Sequence, residues 1–384
     1  MFTKLILRNA FRHKLRTLLT LLGLVIAVLA FGLLQTVVGA WYAGVEASSS
    51  TRLVTRNATS LVFSLPLTYG DKIRQIEGVS SVSRANWFGG IYIDKRNFFA
   101  QFAVDGAPYF SLYPEFRIEP EQQKAFMLDR KGCIVGRKLA QTYGWKIGDT
   151  VPLRGTIFPG DWAFVVRGIY TGAELKTDES QFFFHWDYLN ETLKKTTPRR
   201  ANQVGIFLIG IAESDAAAEI SRRIDDTFRN SLAETLTETE KAFQLSFISM
   251  TEAIVGAIRI VSFVVIVIIM AVMANTMAMS ARERLSEYAT LKALGFGPVF
   301  LRALIYGESL LIALLGGVLG IAATFPVVSG FGAAMVKLFP VFQISPHTIV
   351  LQMGAVLLVG VVAAIVPGAR AARIRIAEGL RALG

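Results

Sequence analysis

The sequence predicts a membrane α-helical protein, with four transmembrane helices and a large two-lobed α+β extracytoplasmic domain between the first and second. Three observations predict it. Of 384 residues, 53% are hydrophobic and the mean hydropathy is +0.47, whereas soluble domains are about 45–50% apolar. The excess is confined to four runs, 17–40, 253–279, 303–328 and 348–366, each long enough as a helix to cross a hydrocarbon core about 30 Å thick. The residues between the first two runs have ordinary mixed composition, and about 210 of them suffice for one large or two small soluble domains.

Residues 1–16 read as a cytosolic amphipathic helix: Phe2, Leu5, Ile6 and Phe11 are apolar, and the basic residues between them suit anionic headgroups. Residues 17–41 form the first span. Its apolar run is too long for a signal-peptide core, no A-x-A-like site ends it, and Trp41-Tyr42 resembles an interfacial aromatic belt, so an uncleaved anchor is expected.

The outer domain covers 42–252. Short strands are expected at 61–65, within 79–104, at 163–170, 182–186 and 204–211, and helices at 71–77, 137–143 and 216–228, the last with Ile220, Ile224 and Phe228 on one face. The part from about 110 to 172 reads as a β-rich insert. From about 238 to 258 a stalk helix is expected to run without a break into the second span, 253–279, with Phe243, Phe247 and Met250 on one face. Then come a cytosolic helix and loop at 280–302, a third span at 303–328, a short outer loop at 329–347, a fourth span at 348–367 and a cytosolic tail at 368–384.

The net charge of +11 suggests nucleic acid, but its distribution excludes it. Residues 42–251 hold 25 Lys/Arg against 24 Asp/Glu, so the soluble domain lacks the basic excess of a nucleic-acid binder. The surplus flanks the spans. Lys4, Arg8, Arg12, Lys14 and Arg16 precede the first; Arg282, Arg284, Lys292 and Arg302 separate the second and third; Arg370, Arg373, Arg375 and Arg381 follow the fourth; the third and fourth are joined by a loop with only Lys337. Lys/Arg mark the cytosolic side, which places both termini in the cytosol and, in a bacterium, the large domain outside the inner membrane.

Little points to chemistry. Cys133 is the single cysteine, and His13, His185 and His347 lie in different segments, so no metal or disulfide framework is expected. The P-loop string G-x-x-x-x-G-K-[ST] does not occur. No bound cofactor is expected, and ATP and magnesium would belong to a partner chain. Arg259 can snorkel from the second span, while Glu308, in the third, either pairs with Arg302 or another basic residue or is a solvated helix end. Gly316 and Gly320 form a G-x-x-x-G packing signal. Trp87, Phe88, Phe243 and Phe247 are candidates for contact with a hydrophobic substrate; for Trp87 and Phe88, as for Phe98, Phe99 and Phe182-Phe183-Phe184, the other reading is buried strand core.

The densest constellation is Arg282-Glu283-Arg284-Leu285-Ser286-Glu287-Tyr288-Ala289-Thr290-Leu291-Lys292-Ala293-Leu294-Gly295. Glu283 and Glu287 fall one helical turn apart, the leucines supply apolar positions, and Gly295 is a helix stop. A short charged helix between two spans has the form of a docking element.

This segment resembles the FtsX/MacB-type ABC permeases. So do Arg8-Asn9-Ala10 with 14–23 before the first span, Pro367-Gly368-Ala369-Arg370-Ala371-Ala372-Arg373 with 378–381 after the fourth, and the 133–170 block. The resemblance implies a homo- or heterodimer of four-span subunits on a separate cytosolic ATPase dimer. It makes Arg282, Glu283, Arg284, Glu287, Tyr288, Leu291, Lys292, Leu294 and Gly295 the coupling surface. It also implies mechanotransmission to the outer domain, with export through a periplasmic adaptor, lipoprotein extraction or regulation of cell-wall hydrolases as the family's outputs. The ATPase fused to MacB is absent from this sequence. The function expected is therefore a permease subunit that exports or extracts a hydrophobic, lipid or peptide-like substrate, not an enzyme itself. The alternative is a signalling or scaffold subunit that regulates an extracytoplasmic enzyme.

Overall fold

The computed structural model describes residues 2–174, 176–249, 251–335, 339 and 341–374. Met250, Lys337, Arg375, Arg381 and the 378–381 motif lie outside the described residues. The chain divides into two units: residues 42–250 with 336–341, and the remainder.

The second unit is a bundle of four helices long and apolar enough to cross a membrane: Lys14–Ala47, Glu252–Glu283, Pro298–Met335 and Pro346–Arg373. Glycine lets these helices approach. A methyl group on Gly316 would fall 2.7 Å from Leu24 Cδ2; one on Gly320 would fall 2.8 Å from Val28 Cβ and 3.0 Å from the Val25 carbonyl oxygen. The G-x-x-x-G pair thus seats the third span against the first within one subunit. Gln352 of the fourth span is fully buried and donates from Nε2 to the Val28 carbonyl and to Thr324 Oγ1, both at 3.0 Å. The fourth helix starts at Pro346 because the Ser345 hydroxyl accepts from the Thr348 N–H at 3.2 Å. Ahead of the first span, the helix Phe2–Ala10 lays Ile6 against Gly307 and buries Ala10.

The other unit is an α+β domain around one large mixed sheet. Its strand order is Thr235–Thr239, Arg52–Asn57, Ile206–Ile211, Val79–Trp87, Ala100–Val104, Gln181–His185, Gly132–Gly136, Gly160–Gly172, Thr150–Gly155, Gly90–Ile91. Most neighbours are antiparallel; Gln181–His185 with Ala100–Val104 and Gly132–Gly136 with Gly160–Gly172 are parallel. The β-rich insert therefore builds no sheet of its own: its strands continue the sheet begun by the flanking segments. Alternation along the strands builds a core on each face. Phe182 and Phe184 enter one core with Leu53, Val82, Cys133 and Ile209; Phe183 enters the other with Val54, Ile134, Val104 and Leu208.

The unbroken stalk helix expected over 238–258 is corrected. Glu238 and Thr239 are still strand, paired with Val54 and Leu53. The Thr-Leu-Thr-Glu-Thr run of 235–239 alternates buried Thr235 and Thr237 with exposed Leu236, as an extended strand does. The Thr239 hydroxyl then caps a helix, Glu240–Ser249, by accepting from the Ala242 N–H at 3.2 Å, and a separate helix starts at Glu252.

Candidate functional site: the fastened helix between the second and third spans

The helix Glu252–Glu283 ends at Arg284, and Leu285–Ala293 forms a short second helix. Its end follows from Gly295, whose φ of +93° is open to glycine at little cost. Phe296 N–H donates to the Leu291 carbonyl and Gly295 N–H to the Lys292 carbonyl, both at 3.0 Å, which satisfies two carbonyls of the last turn.

Four attachments fix this helix and its junction with the second-span helix to the bundle. Arg284 is buried and donates to Glu308 Oε2 at 2.7 Å and Oε1 at 3.0 Å, and from Nη2 to the Asn9 carbonyl at 2.8 Å. Glu308 is equally buried, with Ser280 Oγ 3.5 Å away. Arg16, in the first turn of the first span, forms a bidentate pair with Glu283 at 2.7 and 2.8 Å. Arg12 pairs with Glu287. Lys292 donates to the Ala372 and Ile374 carbonyls at 2.8 Å each, where the fourth-span helix runs out of internal donors. Tyr288 packs in the bundle core, and burial pushes its hydroxyl up to about 12.

This geometry sorts the sequence candidates. Arg284 and Tyr288 are 3% and 2% exposed, so neither can form part of a docking surface; they anchor the helix. Glu283 is held by Arg16 in the first turn of the first-span helix and Glu287 by Arg12 just before it. Leu291 is partly buried against the bundle core, and Lys292 is committed to backbone carbonyls. Arg282 is exposed. The open surface is the tip: Leu294 is 70% and Val299 67% exposed, with Gly295 and Phe296 between them. Phe296 and Val299 were not among the coupling residues expected from sequence; the signal for them was an apolar run, Leu294 to Phe300 broken by Gly295, Gly297 and Pro298, on a loop. Glu308 pairs with another basic residue, Arg284, and not with Arg302, and it is no solvated helix end.

In the outer domain the aromatic candidates part company. Phe88 is fully buried, edge-on to Trp162, Phe164 and Phe184 at 5.3, 6.0 and 5.1 Å, so its substrate role is corrected to core packing. Phe99 and the three phenylalanines 182–184 are buried as well. Trp87 and Phe98 are exposed neighbours with ring centroids 6.1 Å apart. Phe247 is exposed and meets the partly buried Phe243 edge-on at 5.0 Å.

Sequence reasoning missed one buried cluster. Arg52 Nε donates to Glu240 Oε2 at 2.8 Å, and its Nη atoms to Glu115 at 2.7 and 3.1 Å. Glu240 also accepts from the Ser49 N–H at 2.9 Å and from the Tyr113 hydroxyl at 3.0 Å. Burial holds the Tyr113 phenol well above its usual pKa, so it serves as a donor. The cluster ties the chain just after the first long helix to the first residue of Glu240–Ser249.

Four spans, an α+β domain after the first and an anchored helix after the second define a multi-pass membrane protein with an extracytoplasmic domain. Residues 17–227 match the MacB-like periplasmic core domain, and residues 259–376 match the FtsX-like permease C-terminal region. The chain belongs to the FtsX/MacB-like ABC transporter permeases. It is 22% identical over 399 residues to an uncharacterized ABC transporter permease of Methanocaldococcus jannaschii, covering 97% of this chain and 96% of the relative. Among solved structures, the extracellular domain of the noncanonic ABC-type transporter YknZ from Gram-positive bacteria aligns at TM-score 0.35 and 11% identity, covering 49% of this chain and all of that one. A domain of a putative permease from Porphyromonas gingivalis aligns at TM-score 0.32 and 13% identity, covering 50% and 90%.

Proposed function

We propose that this permease is the membrane subunit of an export or extraction complex powered by a separate cytosolic ATPase dimer, which binds the ATP and magnesium. The 282–299 segment is its coupling element. Two permease copies, identical or not, stand on the ATPase, and the outer domain moves to export or extract a hydrophobic, lipid or peptide-like substrate, with a periplasmic adaptor where one is used. The Lys/Arg asymmetry supports cytosolic termini in a bacterial inner membrane.

One observation carries the coupling assignment: an exposed apolar tip sits on a helix that is otherwise pinned by buried and bidentate ion pairs. An apolar patch on a short loop suits burial in a partner's cleft. A push on that tip is passed to the first, third and fourth spans together, because one residue on each holds the helix.

The test is purification of the tagged full chain from its native membrane, with ATP hydrolysis measured in the eluate. Leu294→Glu with Val299→Glu is expected to remove at least ten-fold of the co-purifying hydrolysis while the chain still inserts, and Trp87→Ala to remove none. Undiminished hydrolysis in the double variant would dismiss the tip as the coupling surface.

A further inference from the structure

A groove of about 640 Å³ opens between the first and second spans, at the end of the bundle where the first span starts. Its mouth carries His13, Lys14 and Arg16, and its walls are Leu15, Leu19 and Val272. The three apolar side chains are exposed in the subunit. One turn deeper the groove closes, where a methyl group on Gly23 would touch Ile269 Cδ1 at 3.6 Å.

The charges at the mouth do not balance. Among the described residues Glu283 is the acid beside His13 and Arg16, and both its oxygens are taken by Arg16, with His13 Nε2 at 3.4 Å. Glu287, the next acid on that side, is held by Arg12. Lys14 forms no ion pair among the described residues. The groove therefore presents an uncompensated ammonium, with an imidazole beside it, directly above an apolar wall.

We propose that this groove binds one anionic glycerophospholipid, with its phosphate between Lys14 and His13 and an acyl chain along Leu15, Leu19 and Val272. Three features favour that occupant. The cations lie in the first turn of a spanning helix, where lipid phosphates lie, and the apolar wall begins within the same turn. Leu15 and Leu19 are one turn apart on one face, so they offer a continuous strip to a chain parallel to the helix. A zwitterionic lipid brings its own cation and gains less from Lys14, and a second protein copy would have to supply an acid there. The site is independent of the coupling assignment, since none of its lipid contacts requires a partner ATPase.

The test uses the full chain in mild detergent, titrated with phosphatidylglycerol or phosphatidylcholine of identical acyl chains, with bound lipid counted by native mass spectrometry. Wild type is expected to retain one phosphatidylglycerol at a concentration at least five-fold lower than phosphatidylcholine. Inorganic phosphate should not displace it. Lys14→Arg should keep the preference and Lys14→Glu should erase it, with unchanged charge-state distributions reporting that both variants remain folded. Equal retention of the two lipids by wild type, or a preference that survives in Lys14→Glu, overturns the proposal. So does displacement by phosphate alone, which would mark a free-anion site. Disulfide capture between copies carrying Leu19→Cys in native membranes also overturns it, by placing a second subunit in the groove.

Discussion

Removing Glu308 should destabilise the bundle more than any surface change on the same helix, and removing Arg284 with it should restore stability. The side chains of Arg284 and Glu308 are 3% and 5% exposed and share two hydrogen bonds. Glu308→Ala takes both carboxylate hydrogen bonds from the guanidinium, which keeps the Asn9 carbonyl but no paired counter-charge. Loss of one partner of a buried pair costs about 3–5 kcal/mol, because the survivor stays desolvated without its counter-charge. That is roughly two to four decades in the unfolding equilibrium at about 1.4 kcal/mol per decade. Arg284→Met with Glu308→Leu removes both charges and fills their volume, which is often neutral or stabilising by about 1–4 kcal/mol. The double variant should then be more stable than either single one, Arg284→Met or Glu308→Leu, so the two single costs are far from additive in the double-mutant cycle. Unfolding of the detergent-solubilised full chain in rising dodecyl sulfate, followed by far-UV helical signal, measures it. The expected companion result is a double variant that is stable yet impaired in ATP-driven work, because apolar contacts do not fix one geometry as a forked guanidinium does. The reasoning fails if Glu308→Ala costs less than about 1 kcal/mol against that expected loss, or if the two single costs simply add.

Two further outcomes follow from packing. Phe88→Ala should cost about 3–5 kcal/mol as a buried aromatic truncation, whereas exposed Trp87→Ala should cost under about 1 kcal/mol; thermal unfolding of the full chain by near-UV circular dichroism separates them, and equal costs would contradict the burial. Gly320→Leu should cost about 1–3 kcal/mol by overpacking Val28 without changing the number of copies per particle in light scattering; a change in copy number instead would move Gly320 from the intra-subunit seam to an interface.

The spans were legible in the sequence because an apolar run of the right length has few other uses. Their ends were less so. The first helix runs to Ala47, past the expected limit at 41, since Gly44, Val45 and Glu46 carry no membrane signature even though the backbone stays helical. The partner of Glu308 was readable in part. Arg302 is six residues away on the same helix, which turns it about 240° to another face, so helix geometry alone disfavours that pairing. Choosing Arg284 required the antiparallel fold of two helices, which spacing does not encode. The same holds for Trp87 and Phe88: adjacent positions at a strand end face opposite ways, so at most one could meet solvent, but which one depends on the neighbours that Trp162, Phe164 and Phe184 provide. The Arg52 cluster was invisible because its carboxylates, Glu115 and Glu240, are 63 and 188 residues away in sequence.

The two buried arginines have a common logic within their own units. Arg284 stands where the second-span helix ends and fastens the next helix to the chain before the first span and to the third. Arg52 stands five residues beyond the first long helix and fastens the start of Glu240–Ser249. At both places an apolar contact would be cheaper to build, since buried charge gains little net stability. What an ion pair adds is a steep penalty for partial separation in a dry setting, so the joined elements either move together or part altogether. Apolar surfaces slide with small loss per ångström. Under the proposed function, in which displacement passes from one element to the next, ion pairs suit such joints and apolar packing, like that of Gly316 and Gly320 on Leu24 and Val28, suits the seams between them.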